Sequence, residues 1–282
     1  MTASRSLERE PVFPQSIGEC VYCGTSDEEL SDEHVIPFGL HGNWILSEAS
    51  CAKHRDVTSA LETDALRNAW AAARAVLGIR TRRPKRRTEG FNVTLEVHGQ
   101  DKVVRVSAED HPAPLAWPIY AFPGEMPPEA TRPGTSLIRV RTAIRKKKAV
   151  ALMRLHGAQA VRYTIPDPTK FARFLGKIAY CFAVACSGLP ATREAPLLKA
   201  LLMDGPEIFK FVGNDDGSSR FTAGDEQEVA MGANENGRVV YIRLLPILQA
   251  QEYIVFVDAP LSGPTTGCSG RSAARPAAEP ER

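Results

Sequence analysis

Two short metal-binding patterns near the start of the chain restrict its fold more than any other feature. Cys20-Val21-Tyr22-Cys23-Gly24 comes first, and Cys51-Ala52-Lys53-His54 follows about thirty residues later. A two-residue gap lets both side chains of one tight turn reach the same tetrahedral ion, and the glycine after the second cysteine suits the hinge of such a knuckle. The two pairs together make a Cys3His set, so Cys20, Cys23, Cys51 and His54 are expected to hold a structural Zn2+. Any fold of this chain must then bring both pairs to one ion. Six cysteines in a chain of 282 residues, spaced in this way, suit a metal in a reducing compartment better than a disulfide framework. Cys181 and Cys186, in an apolar run, and Cys268, near the end, read as bystanders.

Between the two pairs stands Glu33-His34-Val35-Ile36-Pro37, followed by Gly39, Gly42 and Asn43. With CVYCG before it and SCAKH after it, this ordered set over about residues 17–65 resembles the HNH endonuclease family. The resemblance implies a ββα-metal fold, in which a hairpin and a helix clasp a divalent cation at a scissile DNA phosphate. It implies His34 as the general base that activates water, a role that suits an imidazole neutral near pH 7. It implies Glu33 as a ligand of a catalytic Mg2+ or Mn2+, since carboxylate oxygen suits both ions. Asp32 takes that place if the register differs by one residue. Asn43 is implied as the residue that orients the loop carrying the histidine. The chain departs from the family where many members carry His or Asn after the last zinc ligand; here Arg55 stands, and a guanidinium cannot coordinate a cation. Asp56, His54 or Glu62 are the candidates to supply the missing ligand, and Asp56 also reads as a helix cap.

Outside this region the chain reads as α+β. Val57, Leu61, Ala65, Ala69, Trp70, Ala73 and Val76 recur at helical spacing over 56–77, capped by Asp56 or Thr58. The run RTRRPKRR follows, where Pro84 and crowded charge indicate an exposed linker. FNVTLEVHG and KVVRVSAE alternate β-branched and polar residues around Gly99-Gln100-Asp101, as a hairpin does. Strands are expected at 136–142 and 159–165. Asp167-Pro168 opens a helix with an apolar stripe of Phe171, Phe174, Leu175, Ile178, Ala179 and Phe182 that ends at Gly188. A shorter helix near 194–203 and strands near 209–213, 227–232, 238–244 and 251–257 complete the pattern. The expected organisation is a disordered leader over 1–16, an HNH-like zinc module over 17–78 and a basic linker over 79–89. A separate α+β domain over 90–258 and a disordered tail over 259–282 follow.

Net charge is only +2, so affinity for nucleic acid has to come from local clusters. Arg80, Arg82, Arg83, Lys85, Arg86 and Arg87 form one such cluster beside the metal module, and Arg139, Arg141, Arg145, Lys146, Lys147 and Lys148 form another. Phosphate backbone is the partner such clusters fit, with salt dependence and no choice of sequence. No apolar run reaches the length of a membrane span, and charges fill the start where a secretory signal needs an apolar block, so a cytoplasmic location is expected. The expected function is a metal-dependent HNH-type endonuclease acting on DNA, with a homodimer favoured if both strands are cut. The rivals are a zinc-stapled nucleic-acid-binding protein without turnover and a structural zinc module that docks a protein partner.

Overall fold

The structure, a computed structural model, describes residues 16–79, 90–124, 139–190, 193–214, 221, 227–234, 237–245, 252–257 and 268–272. The leader, the basic cluster from Arg80 to Arg87 and most of the tail lie outside the described residues.

Between the two metal-binding pairs the chain makes an antiparallel hairpin. Strand β1 (Ser31–His34) pairs with β2 (Ile45–Ser50), placing Glu33 opposite Leu46 and His34 opposite Ile45. The register shifts between Ser31 and Glu33, where β2 bulges and Glu48 takes a φ of 49°. The connecting loop contains a 3-10 turn, Phe38–Leu40, closed by His41 in the left-handed region. Gly42 donates its N–H to the Pro37 carbonyl, and a Cβ there would lie 1.8 Å from the Ile36 carbonyl oxygen. Side chains of any size are excluded by that backbone contact. Gly42→Ala is therefore expected to destabilise the protein by about 3 kcal/mol, read as a lower denaturant midpoint with an unchanged slope.

Helix α1 (Ala52–Thr63) leaves directly from the second metal pair, with Cys51 as its N-cap. The single helix expected over 56–77 is instead three pieces: α1, a π-helical segment (Asp64–Ala69) and α2 (Ala71–Val76). The wide turn is visible in Trp70, whose N–H bonds the Ala65 carbonyl at 3.0 Å. It re-phases the apolar face so that Trp70 is buried edge-on against Phe171. Because α1 already starts at Ala52, Asp56 sits inside it, exposed, and is not its cap.

The hairpin expected around residue 99 is present as β3 (Phe91–Val97) and β4 (Gln100–Val106). Its turn is His98-Gly99, both at positive φ (51° and 76°), as a type I′ turn requires. Strand β5 (Leu115–Ile119), which was not expected, pairs with β6 (Arg139–Ala143). Strand β7 (Ala160–Arg162) adds to β3, and α3 (Lys146–His156) packs Leu152 against Val93 and Leu95 of this sheet. The second basic cluster is thus divided: Arg139 and Arg141 lie in β6, while Arg145 caps α3 and Lys146, Lys147 and Lys148 form its first turn. Arg145 donates to the carbonyls of Ala108, Glu109 and His111, and Lys148 pairs with Asp110 at 2.8 Å, so neither is simply extended toward solvent.

Helix α4 (Pro168–Ser187) begins as the sequence indicates: Asp167 accepts the Lys170 N–H at 2.9 Å and proline occupies the first turn. It is buried all round rather than along one stripe, because it lies between two layers. On one side is α1. On the other is a five-stranded antiparallel sheet in the order β12-β9-β10-β11-β8, built from β8 (Val212–Asn214), β9 (Gln227–Asn234), β10 (Gly237–Arg243), β11 (Glu252–Val257) and β12 (Cys268–Ser272). Helix α5 (Pro196–Leu202) and a 3-10 turn (Pro206–Lys210) also pack on α4.

Two expectations are corrected here. The tail is not wholly without structure, since β12 pairs with β9, and Cys268 is bonded to Cys186 rather than standing by. Nor do 17–78 and 90–258 keep separate cores. One continuous apolar cluster runs from Cys20, Val21 and Leu46 through Trp70 to Phe174, Phe182 and Val255. Among the described residues no helix is long and apolar enough to cross a membrane.

Candidate metal centre

The sequence places Cys20 and Cys23 in a segment with no helix or strand of its own, so backbone bonds and side-chain ligands must hold it. Three such bonds do. Ile17 N–H reaches the Ser47 carbonyl, Val21 N–H reaches Ala49, and Cys20 N–H reaches Thr25 across the turn. Gly24, at a φ of 77°, closes the knuckle by donating to the Cys20 carbonyl at 2.7 Å. The other pair needs no such help, because Cys51 caps α1 and His54 lies in its first turn.

This arrangement brings the ligand atoms of Cys20, Cys23, Cys51 and His54 within 4.8 Å of one another. His54 Nδ1 is 3.6 Å from Cys20 Sγ and 3.2 Å from Cys51 Sγ, and Cys23 Sγ is 4.0 Å from Cys51 Sγ. These are separations that one tetrahedral ion can bridge, and a Cys3His donor set is one that zinc favours. Cys20, Cys51 and His54 are buried while Cys23 faces solvent. Burial, with the Lys53 charge beside it, holds the His54 pKa below its ordinary value, which keeps the ring in the neutral form a metal requires.

The residues implied for catalysis are placed around this centre unequally. His34 ends β1 with its ring edge-on to Phe38, and Asn43 is exposed in the loop just before β2. Glu33, however, points inward and is 5% exposed. Its Oε1 lies 2.8 Å from the Nζ of Lys177, in the middle of α4, and its Oε2 lies 3.3 Å from the Thr58 hydroxyl. Lys177 is fully buried and also pairs with Glu62 at 3.1 Å while donating to the His34 carbonyl. Burial alone would lower the pKa of this lysine, but the Glu33 and Glu62 charges outweigh it and hold the ammonium protonated.

A Mg2+ or Mn2+ ion on Glu33 does not fit this arrangement, because an ammonium already holds the carboxylate. The three candidates for the missing ligand do not assemble either. Asp56 is exposed and lies 3.4 Å from Arg55, Glu62 is engaged by Lys177, and His54 belongs to the cysteine cluster. Asp32 does not replace Glu33 by a shift of register; its carboxylate accepts the Glu48 N–H in the β2 bulge. Among the described residues, the Cys3His set is the one group of three or more Cys, His, Asp or Glu close enough to share an ion.

Two residues that shape the region escaped the sequence reading. Arg74, from α2, donates to the Gly39 and Leu66 carbonyls at 2.7 and 2.9 Å and so braces the turn that follows His34. Lys177 had a visible signal: a lone charge in FLGKIAYC, inside a helix otherwise apolar, needs a buried counter-charge somewhere. Beside it, Tyr22 lies 3.4 Å through its hydroxyl from Cys181 Sγ, and burial pushes that thiol up to about 12. No family model, curated protein or solved structure matches this chain.

Proposed function

We propose that this chain is an HNH-type endonuclease that cleaves DNA phosphodiesters with His34 as general base and a zinc ion at Cys20, Cys23, Cys51 and His54 as scaffold. The observation that carries this reading is the order of parts around the cluster. A cysteine knuckle, a hairpin whose first strand ends at His34, and a helix leaving from the second metal pair are held as one packed unit. In the proposed step, His34 takes a proton from water, the resulting hydroxide attacks phosphorus, and the bond to the 3′ oxygen breaks, leaving a 5′ phosphate and a 3′ oxygen that takes its proton from solvent. The Arg80–Arg87 cluster and a homodimer belong to the same proposal, as the means of holding duplex DNA and of cutting both strands.

The test is nicking of supercoiled plasmid by the zinc-loaded protein, with and without added Mg2+ or Mn2+. His34→Ala is expected to slow nicking by about 10²-fold or more, with zinc content unchanged. Equal rates for the two proteins would end the assignment of His34.

The second reading, a zinc-stapled nucleic-acid-binding protein without turnover, is favoured by one observation: Lys177 engages the carboxylate expected to hold the catalytic ion. Retarded migration of DNA at low salt, with no nicking under any metal, selects it.

A further inference from the structure

We propose that Lys177 is the resident cation of this module: its ammonium fills the oxygen cage formed by Glu33, Glu62 and the His34 carbonyl, so that the folded chain takes no divalent ion there. A primary ammonium has three N–H donors and no acceptor. Here it meets three oxygens, Glu33 Oε1 at 2.8 Å, Glu62 Oε1 at 3.1 Å and the carbonyl oxygen of His34. Two carboxylates and a carbonyl are also the donor set that Mg2+ or Mn2+ selects. The cage is therefore suited to a hard cation and already holds one, delivered by α4.

The substitution cannot be undone by a modest movement of the side chain. Lys177 is 0% exposed and sits within the apolar surface of a helix whose neighbours Phe174, Ile178 and Cys181 are buried as well. Withdrawing the ammonium would leave it unpaired among them, an unfavourable state for a charge. A divalent ion entering beside it would meet a like charge at close range in a medium that screens poorly. The same burial keeps a DNA phosphate from touching Nζ, so Lys177 does not act on substrate. It neutralises Glu33 and ties β1 and α1 to α4.

This inference stands whether or not the chain cleaves DNA, because ion binding and nicking are read separately. Mn2+ binding, followed by loss of the free-ion electron paramagnetic signal, is measured on zinc-loaded wild type, Glu33→Gln, Lys177→Ala and Lys177→Ala/Glu33→Gln. Wild type is expected to show no saturable Mn2+ site that Glu33→Gln removes. Lys177→Ala is expected to gain one saturable site and a rise in melting temperature with Mn2+, both lost in the double variant. A wild-type Mn2+ site abolished by Glu33→Gln would overturn the proposal. A folded Lys177→Ala protein that binds no Mn2+ would overturn it too, since the cage would then not be a cation site. If Lys177→Ala does not fold, wild type against Glu33→Gln decides alone.

Discussion

Stripping the zinc proposed at Cys20, Cys23, Cys51 and His54 is expected to unfold the region around the cysteine cluster, and not merely to loosen a surface turn. The knuckle over residues 17–25 has no ladder or helix of its own and is tied to β2 by two backbone bonds, from Ile17 and Val21. Beyond these it is held by the Tyr180 hydroxyl on the Val21 carbonyl, by the Arg193–Glu19 ion pair, and by the ion that Cys20, Cys23, Cys51 and His54 are placed to share. Structural zinc in small modules is worth about 10 kcal/mol or more in apparent free energy, which is comparable with the whole stability of an ordinary domain, about 5–15 kcal/mol. The apolar cluster continues from Cys20 and Val21 into α4 and the large sheet, so the damage should spread beyond the knuckle. Thermal unfolding followed by circular dichroism, together with colorimetric counting of released zinc, checks this. A large fall in melting temperature that tracks release of one zinc per chain is expected, and Cys51→Ser should reproduce it. An unchanged transition after stoichiometric removal would show that the cluster is not a structural site.

The second large effect concerns the ion pair at Lys177. Lys177→Met removes the charge that compensates Glu33, a carboxylate 5% exposed, and is expected to destabilise the protein by about 3–5 kcal/mol. Glu62 suffers less, because its side chain is 25% exposed and reaches water. If uncompensated charge is the cause, Lys177→Met/Glu33→Leu should recover most of the loss, since an apolar pair of similar volume often replaces a buried ion pair at little cost. Denaturant titration of the two single variants and the double variant closes the cycle. Additive losses would mean that the two side chains act through packing rather than through their charges.

What the sequence revealed and what it hid divide along a physical line. The Cys3His set was legible because ligand spacing is a local property of the chain: Cys20 with Cys23, and Cys51 with His54, are two tight turns. The Asp167 cap and the hairpin near residue 99 were legible for the same reason, since caps and turns are settled by neighbours, although the turn is His98-Gly99 and the expected turn residues Gln100 and Asp101 begin β4. The break in the helix after Thr63 was hidden, because the apolar period over 56–77 continues through it and only the burial of Trp70 against Phe171 explains the wide turn. Strand β12 was hidden in a small, polar segment whose pairing with β9 is entirely non-local. The fate of Glu33 was hidden most deeply. Its place beside His34 carries the family resemblance, yet what it does is decided by a lysine on a distant helix.

The central position of α4 has a consequence for how the chain matures. Tyr180 donates to the Val21 carbonyl across 159 residues of sequence, and Lys177 meets the His34 carbonyl across 143. On a ribosome the knuckle and the hairpin emerge long before the helix that covers them. Until α4 arrives, Tyr22 lacks Tyr180, Trp70 lacks Phe171, and the Glu33 carboxylate lacks the Lys177 ammonium. A nascent chain halted before residue 168 therefore lacks the helix that covers the knuckle and neutralises Glu33. Completion of α4 covers the knuckle and the hairpin, and the sheet that packs its other side, residues 212–272, emerges only afterwards.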